Sequence, residues 1–101
     1  MDAATFTALA EPNRLKIVEL LREKPRSVNE IALLLQLRQP QVSKHLHALA
    51  AASMVTVQPV AQQRIYALKA EPFLRIEDWA SSFQKEWGQR LDNLENYLKK
   101  G

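Results

Sequence analysis

Apolar residues recur with a helical period over most of this chain and break from it once. Val42, Leu46 and Leu49 stand at i, i+4 and i+7, the spacing of one buried stripe on a helix. Pro40 suits the first helical position, where a missing N–H costs nothing, so the spacing predicts a helix beginning at Pro40 and running to about Ala51. Upstream, residues 2–9 can form a short helix with Asp2 near its cap and Phe6 and Leu9 on one side. Glu11-Pro12 restarts the chain, and the next helix turns Leu15, Ile17, Val18 and Leu21 inward and Arg14, Lys16, Glu19, Arg22 and Glu23 largely toward water. Pro25 ends it. Ser27-Val28-Asn29-Glu30 fits a capping box, in which the serine and the glutamate three residues on satisfy each other's backbone N–H groups. Ile31, Leu34 and Leu35 are then the buried side of a third helix, and a turn through Leu37, Arg38 and Gln39 makes it and the Pro40 helix a helix-turn-helix.

After Ala51 the period changes. Residues 54–57 and 64–67 favour extended structure, and residues 58–63, with Pro59 early among them, can turn between the two strands of a hairpin. From Glu71 the helical period returns, with Ile76, Trp79, Phe83, Trp87, Leu91, Leu94 and Leu98 spaced by three or four. The expected fold is mainly α with a small β-hairpin wing: a winged helix-turn-helix of five helices in one domain spanning residues 1–101. Its helix-turn-helix covers about 27–51, its wing about 54–69 and its last helix about 71–98. Two Trp and a Phe on one stripe exceed what so small a domain needs internally, so the last helix is expected also to pack against a second subunit through Trp79, Phe83, Trp87, Leu91 and Leu94. The plainer alternative is a stripe that only caps its own core.

The face of the Pro40 helix opposite its apolar stripe carries Gln41, Ser43, Lys44, His47, Ala48 and Ala51, and no acid. In a DNA major groove glutamine can pair with adenine, lysine can reach guanine or phosphate, and alanine permits close approach; the same residues would also suit a plain solvated face. Charge distribution favours the first reading. The chain carries a formal +3 overall, yet residues 31–70 contain no Asp or Glu and hold Arg38, Lys44, Arg64 and Lys69, so this window is +4 and the remainder −1. One misplaced carboxylate would repel a phosphate backbone, and this window has none.

Composition excludes several alternatives. The absence of cysteine removes disulfide and thiolate chemistry and agrees with a reducing cytoplasm, the expected location. No apolar run suggests a membrane span, and the start of the chain lacks the pattern of a signal peptide. Two glycines, Gly88 and Gly101, form no phosphate loop, and no His-acid cluster stands at ligand spacing, so neither an enzyme nor a cofactor is expected. His45 flanks the buried stripe and is read as supporting packing or hydrogen-bonding locally rather than binding a ligand, whereas His47 points outward toward phosphate, base or solvent. Two imidazoles at i and i+2 face different directions and are poor joint metal ligands.

FTALAEPNRLKIVELL, SVNEIALLLQLRQPQVSKHLHALAAASMV and RIYAL together resemble the ArsR family of winged-helix bacterial repressors over essentially the whole chain. The resemblance implies a homodimer that is built from the first and last helices, which adds Phe6 to the interface stripe, and that binds double-stranded DNA at an inverted-repeat operator. The family's serine before QP is Arg38 here, and the glycine of its AGLV turn is Ser53, departures that leave the fold intact. Members that sense metals through thiolates carry two cysteines where this chain has Ser27 and Asn29, and members with a site on the last helix use histidines that this helix lacks. No metal site is expected, and an inducer, if any, is a small organic ligand at the dimer interface. The expected DNA-contacting set is Arg38, Gln39, Gln41, Ser43, Lys44 and His47, with Arg64 and, more weakly, Lys69 from an otherwise cation-free wing. The competing function is a winged-helix protein-interaction or assembly module whose aromatic stripe is the partner surface.

Overall fold

Glu11 and Pro12 divide the N-terminal helical stretch in two. In the computed structural model, which describes residues 3–100, they separate α1 (Ala3–Ala10) from α2 (Pro12–Glu23). Glu11 is extended, and its Oε2 accepts the Arg14 backbone N–H at 2.8 Å, capping α2 behind Pro12. Arg14 does not simply face water: its guanidinium turns back to donate to the carbonyls of Ala8 (2.7 Å) and Thr7 (3.3 Å), satisfying orphan acceptors at the end of α1. The capping role expected of Asp2 lies outside the described residues. Ile17, Val18 and Leu21 are buried as expected, but Leu15, two residues from Ile17 and so on the other side of the helix, is 46% exposed.

After α2 the chain forms a two-residue strand, β1 (Arg26–Ser27), too short to leave a periodic signature and not expected. Arg26 donates to Leu20 O (3.1 Å) and pairs with Glu23 (2.7 Å) and Glu30 (3.9 Å), fastening the end of α2 to the start of the next helix. Ser27 is both a sheet residue and the cap of α3 (Val28–Leu35). Its Oγ accepts Glu30 N–H at 3.2 Å while Glu30 Oε1 accepts Ser27 N–H at 3.3 Å, the predicted capping box. Ile31 is fully buried, with Val28, Ala32 and Leu35 packed against the core. That arc is centred on the side of Ile31 away from Leu34, so Leu34 is exposed rather than buried.

Gln36, left-handed at φ 55°, closes α3, and α4 (Gln39–Ala51) begins one residue before the expected Pro40, which instead lies within the first turn. Val42, Leu46 and Leu49 have no exposed surface. Ser53 takes the left-handed place (φ 58°) after α4, and Met54 N–H reaches back to Leu49 O at 3.0 Å, so the turn forms without a glycine.

The hairpin is longer than the pattern suggested. β2 (Val55–Val60) and β3 (Gln63–Leu68) pair antiparallel from Val55 opposite Leu68 to Val60 opposite Gln63, leaving only Ala61 and Gln62 as the turn. Strand order β1-β3-β2 puts Pro59 on an edge, where a residue lacking an N–H donor is tolerated; Pro59 therefore does not end the strand. β1 pairs with β3 through Arg26 opposite Tyr66 and Ser27 opposite Ile65, anchoring the hairpin to the helix-turn-helix. Met54, Val55 and Tyr66 complete the core. α5 (Ala70–Lys100) follows, rooted by buried Pro72 and partly buried Phe73, and it accounts for the elongated outline of 69 × 24 × 22 Å. Its 31 residues span about 46 Å at 1.5 Å each. The architecture is a winged helix-turn-helix with five helices and a three-stranded antiparallel sheet, and no described helix is long and apolar enough to cross a membrane.

The inward face of α4 and the outward turn of Leu34 predict opposite responses to truncation. Leu46→Ala should cost about 2 to 5 kcal/mol, whereas Leu34→Ala should change stability by no more than about 0.5 kcal/mol. Urea unfolding of both variants measures the difference, and equal losses would mean that α3 is rotated from the orientation described.

Candidate nucleic-acid interface

Burial of Val42, Leu46 and Leu49 determines what α4 turns outward. At 100° per residue, Pro40, Lys44, His47 and Ala51 lie opposite the stripe, Gln39 and Ser43 on one flank, and Gln41 and His45 on the other. Arg38, Gln39, Gln41, Lys44 and His47 are exposed, and Ser43 is half-buried.

On the first flank, the starts of α3 and α4 and the tip of the hairpin enclose a cleft of about 280 Å³. Gln39, Ser43 and Arg64 meet there, joined by Ser27, Val28, Asn29, Gln62 and Gln63. Three of these amides, Asn29, Gln62 and Gln63, were not among the expected contacts. Gln62 and Gln63 read in sequence as a cation-free turn, and only the short tip, with Arg64 next to Gln63 on β3, shows that they face α4. Asn29 Oδ1 accepts a hydrogen bond from Gln39 Nε2, which ties the start of α4 to the start of α3.

Arg38 and Gln41 are tied to each other instead. Gln41 Oε1 accepts the Arg38 backbone N–H at 3.1 Å and caps the helix, while the Arg38 side chain, having only donors, cannot reciprocate. Bidentate pairing of Gln41 with adenine needs that oxygen and hence an opened cap. On the same flank His45 Nδ1 is buried without a hydrogen bond, 3.6 Å from the Glu11 Oε2 that already caps α2, in keeping with a packing role.

No carboxylate competes on the outward face. Glu30, the acid nearest along the chain before α4, is held by Ser27 N–H and beside Arg26. Among the described residues Arg38, Lys44 and Arg64 belong to no ion pair, so their charges are free for a polyanion. Lys69 is placed differently. It follows Leu68, whose partner Val55 marks the base of the hairpin, and its backbone N–H donates to Met54 O at 2.9 Å, far along the strand from Arg64 and the tip. Lys69 thus stands apart from the end of the wing that faces the cleft.

The aromatic residues of the terminal helices form a second surface. Phe6 meets Trp79 edge-on at 5.2 Å between ring centroids, and Trp79 meets Phe83 the same way at 4.9 Å. Trp87, Leu91 and Leu94 continue the stripe, each at least 54% exposed.

Residues 11–57 match the model of the bacterial regulatory protein arsR family. The chain is also 43% identical over 70 residues to the HTH-type transcriptional repressor SmtB of Mycobacterium tuberculosis, a match covering 67% of this chain and 52% of that repressor. The chain belongs to the ArsR family. It spans about half the length of the curated relative it matches. Among solved structures, this ArsR-family chain superposes on the ArsR family transcriptional regulator RHA00566 with TM-score 0.73 and 29% identity, over 84% of this chain and 88% of the other. It also superposes on the homodimeric winged helix-turn-helix DNA-binding domain Mb0332 of Mycobacterium bovis, with TM-score 0.68 and 26% identity over 83% and 78%.

At the positions where thiolate-sensing ArsR proteins carry cysteine, both side chains are occupied: Ser27 Oγ by the α3 cap and Asn29 Oδ1 by Gln39. Among the described residues no three His, Cys, Asp or Glu side chains come close enough to hold an ion. Zinc, cadmium or arsenite at 100 times a micromolar dissociation constant would stabilise a native site by about 2.7 kcal/mol, on the order of 10 °C in melting temperature for a domain of this size. The expected result is a shift below about 1 °C in thermal unfolding, and a rise of several degrees with any of the three would reveal a site.

Proposed function

We propose that this chain is a homodimeric, sequence-specific DNA-binding repressor that lays α4 in the major groove of an inverted-repeat operator. The observation that carries the reading is the outward face of α4: acid-free, with Lys44 unpaired at its centre, and continuous through Gln39 and Ser43 with a cleft closed by the wing. In this reading residues 1–101 act as one DNA-binding unit, and α5 is its dimerisation helix. Lys44 and His47 approach base edges or phosphate, Gln39 and Ser43 read bases beside them, and Arg38 and Arg64 hold the backbone on either side. Gln41 sets the start of the helix and contacts DNA only through atoms its cap leaves free. Phe6, Trp79, Phe83, Trp87, Leu91 and Leu94 pack against the same residues of a second copy, which places two recognition helices on one face of the duplex. The name of SmtB as a repressor and the homodimeric state of Mb0332 support the same assignment. The protein works without catalysis, on cytoplasmic DNA.

Lys44→Glu puts an anion at the centre of the face and should abolish operator binding while leaving the circular dichroism spectrum and melting temperature unchanged. Fluorescence anisotropy with duplexes from upstream of the gene and with random duplexes provides the measurement. Undiminished affinity would remove α4 from the interface.

Trp87→Ala should cost on the order of 3 to 5 kcal/mol of association if the ring is buried between subunits, shift the protein toward monomer, and weaken operator binding with it. Sedimentation at micromolar concentration decides the point: a wild-type monomer contradicts the shared α5 interface.

A further inference from the structure

α2, the end of β3 and the first turn of α5 enclose a cavity of about 460 Å³, none of whose lining residues belongs to α4. The volume lies in the range of small-molecule sites, roughly 300 to 1,000 Å³. Its floor is apolar, made by Val18 of the core and by Leu68 and Phe73, which pack against that core. Its rim carries Glu19, Arg22 and Lys69. Glu19 and Arg22 pair with each other at 3.4 Å, whereas half-buried Lys69 has no ion-pair partner among the described residues. The rim therefore offers one uncompensated cation above an apolar floor. A second cavity, of about 290 Å³, shares Lys69 but is lined by Glu71 and Arg75 together with small residues, so an apolar body has its place only on the Phe73 side.

We propose that this cavity binds an amphipathic organic anion, an acyl or aryl carboxylate whose apolar body lies on Val18, Leu68 and Phe73 and whose carboxylate meets Lys69. The site also has a regulatory consequence, which rests on the function proposed above. Val18 and Leu68 belong to the body that carries α4, while Phe73 belongs to the root of the helix that joins the subunits. A ligand held between them favours one angle of α5 over another by its difference in affinity for the two arrangements, and so changes the separation of the two recognition helices.

The test uses decanoate, below its micelle-forming concentration, as the probe, followed by amide chemical shifts of the full chain, with decanol and decylammonium as charge controls. The expected result is saturable shifts at Val18, Arg22 and residues 68–73, with decanoate binding at least about 5-fold tighter than decylammonium. Lys69→Gln should weaken decanoate by a similar factor and leave decanol unchanged, and Ala70→Trp, filling the cavity from its exposed rim, should block both. Absent shifts, shifts confined to residues 83–98, or equal binding of the cationic probe would overturn the site, the second because it marks adsorption on the exposed stripe of α5. Operator affinity is read in parallel. A loss of about 5-fold or more with decanoate, absent in Ala70→Trp, supports the regulatory role, and unchanged affinity at saturation overturns it. A chain that binds decanoate at this cavity but no duplex at all would instead contradict the DNA-binding assignment and uphold the cavity.

Discussion

The constraint on which the rest of the structure depends is the complete burial of Val42, Leu46 and Leu49, which locks the rotation of α4 about its axis. A helix of 13 residues with three fully buried side chains cannot turn by even one position without exposing a leucine and burying a lysine or a histidine. Every property of the outward face follows from that lock. Lys44 stands at its centre, His47 and Ala51 follow along it, and Gln39 and Ser43 are carried to the flank that meets the wing. The caps serve the same end. Gln41 fixes where α4 starts, and the Asn29–Gln39 hydrogen bond ties that start to α3.

Position relative to the wing is set by a second device, the two-residue strand β1. By pairing with β3 through Arg26 and Ser27, it joins the hairpin to the residue that caps α3, so the sheet and the helix-turn-helix share one serine. Arg26 adds an anchor to the end of α2. Arg64 thus reaches the cleft from an element fastened at its base.

Much of this was legible in the sequence because long periodic segments state their own buried face. The breaks at Pro12 and Pro25, the capping box at Ser27, the stripe of α4 and the apolar run of α5 all read directly as local chemistry. What did not read is equally physical. Leu15 stands three residues before buried Val18 yet opposite Ile17, and Leu34 is 100° from Leu35; helical spacing alone cannot rank such positions until neighbours such as Val28 and Ala32 define the direction of the core. β1 is too short for any period. Pro59 looked like a turn because only the strand order shows that β2 is an edge. In the candidate site, the charges and the outward face were readable from the absence of acids. The amides of Asn29, Gln62 and Gln63 were not, since their place in the cleft depends on a turn two residues long rather than six. The cap that occupies the oxygen of Gln41 left no mark in a sequence that otherwise suggested a free base-reading side chain.

In the proposed function α4 is the reader and α5 the spacer, two roles that leave a joint imprint on the DNA itself. Selection of bound sequences from a random duplex pool, followed by footprinting of the winners, measures both at once. The predicted outcome is an inverted repeat whose half-sites are centred one helical turn, roughly 34 Å, or a multiple of it apart, with protection in the major groove of each half-site. Enrichment of no sequence, or of single half-sites protected only in the minor groove, would contradict it.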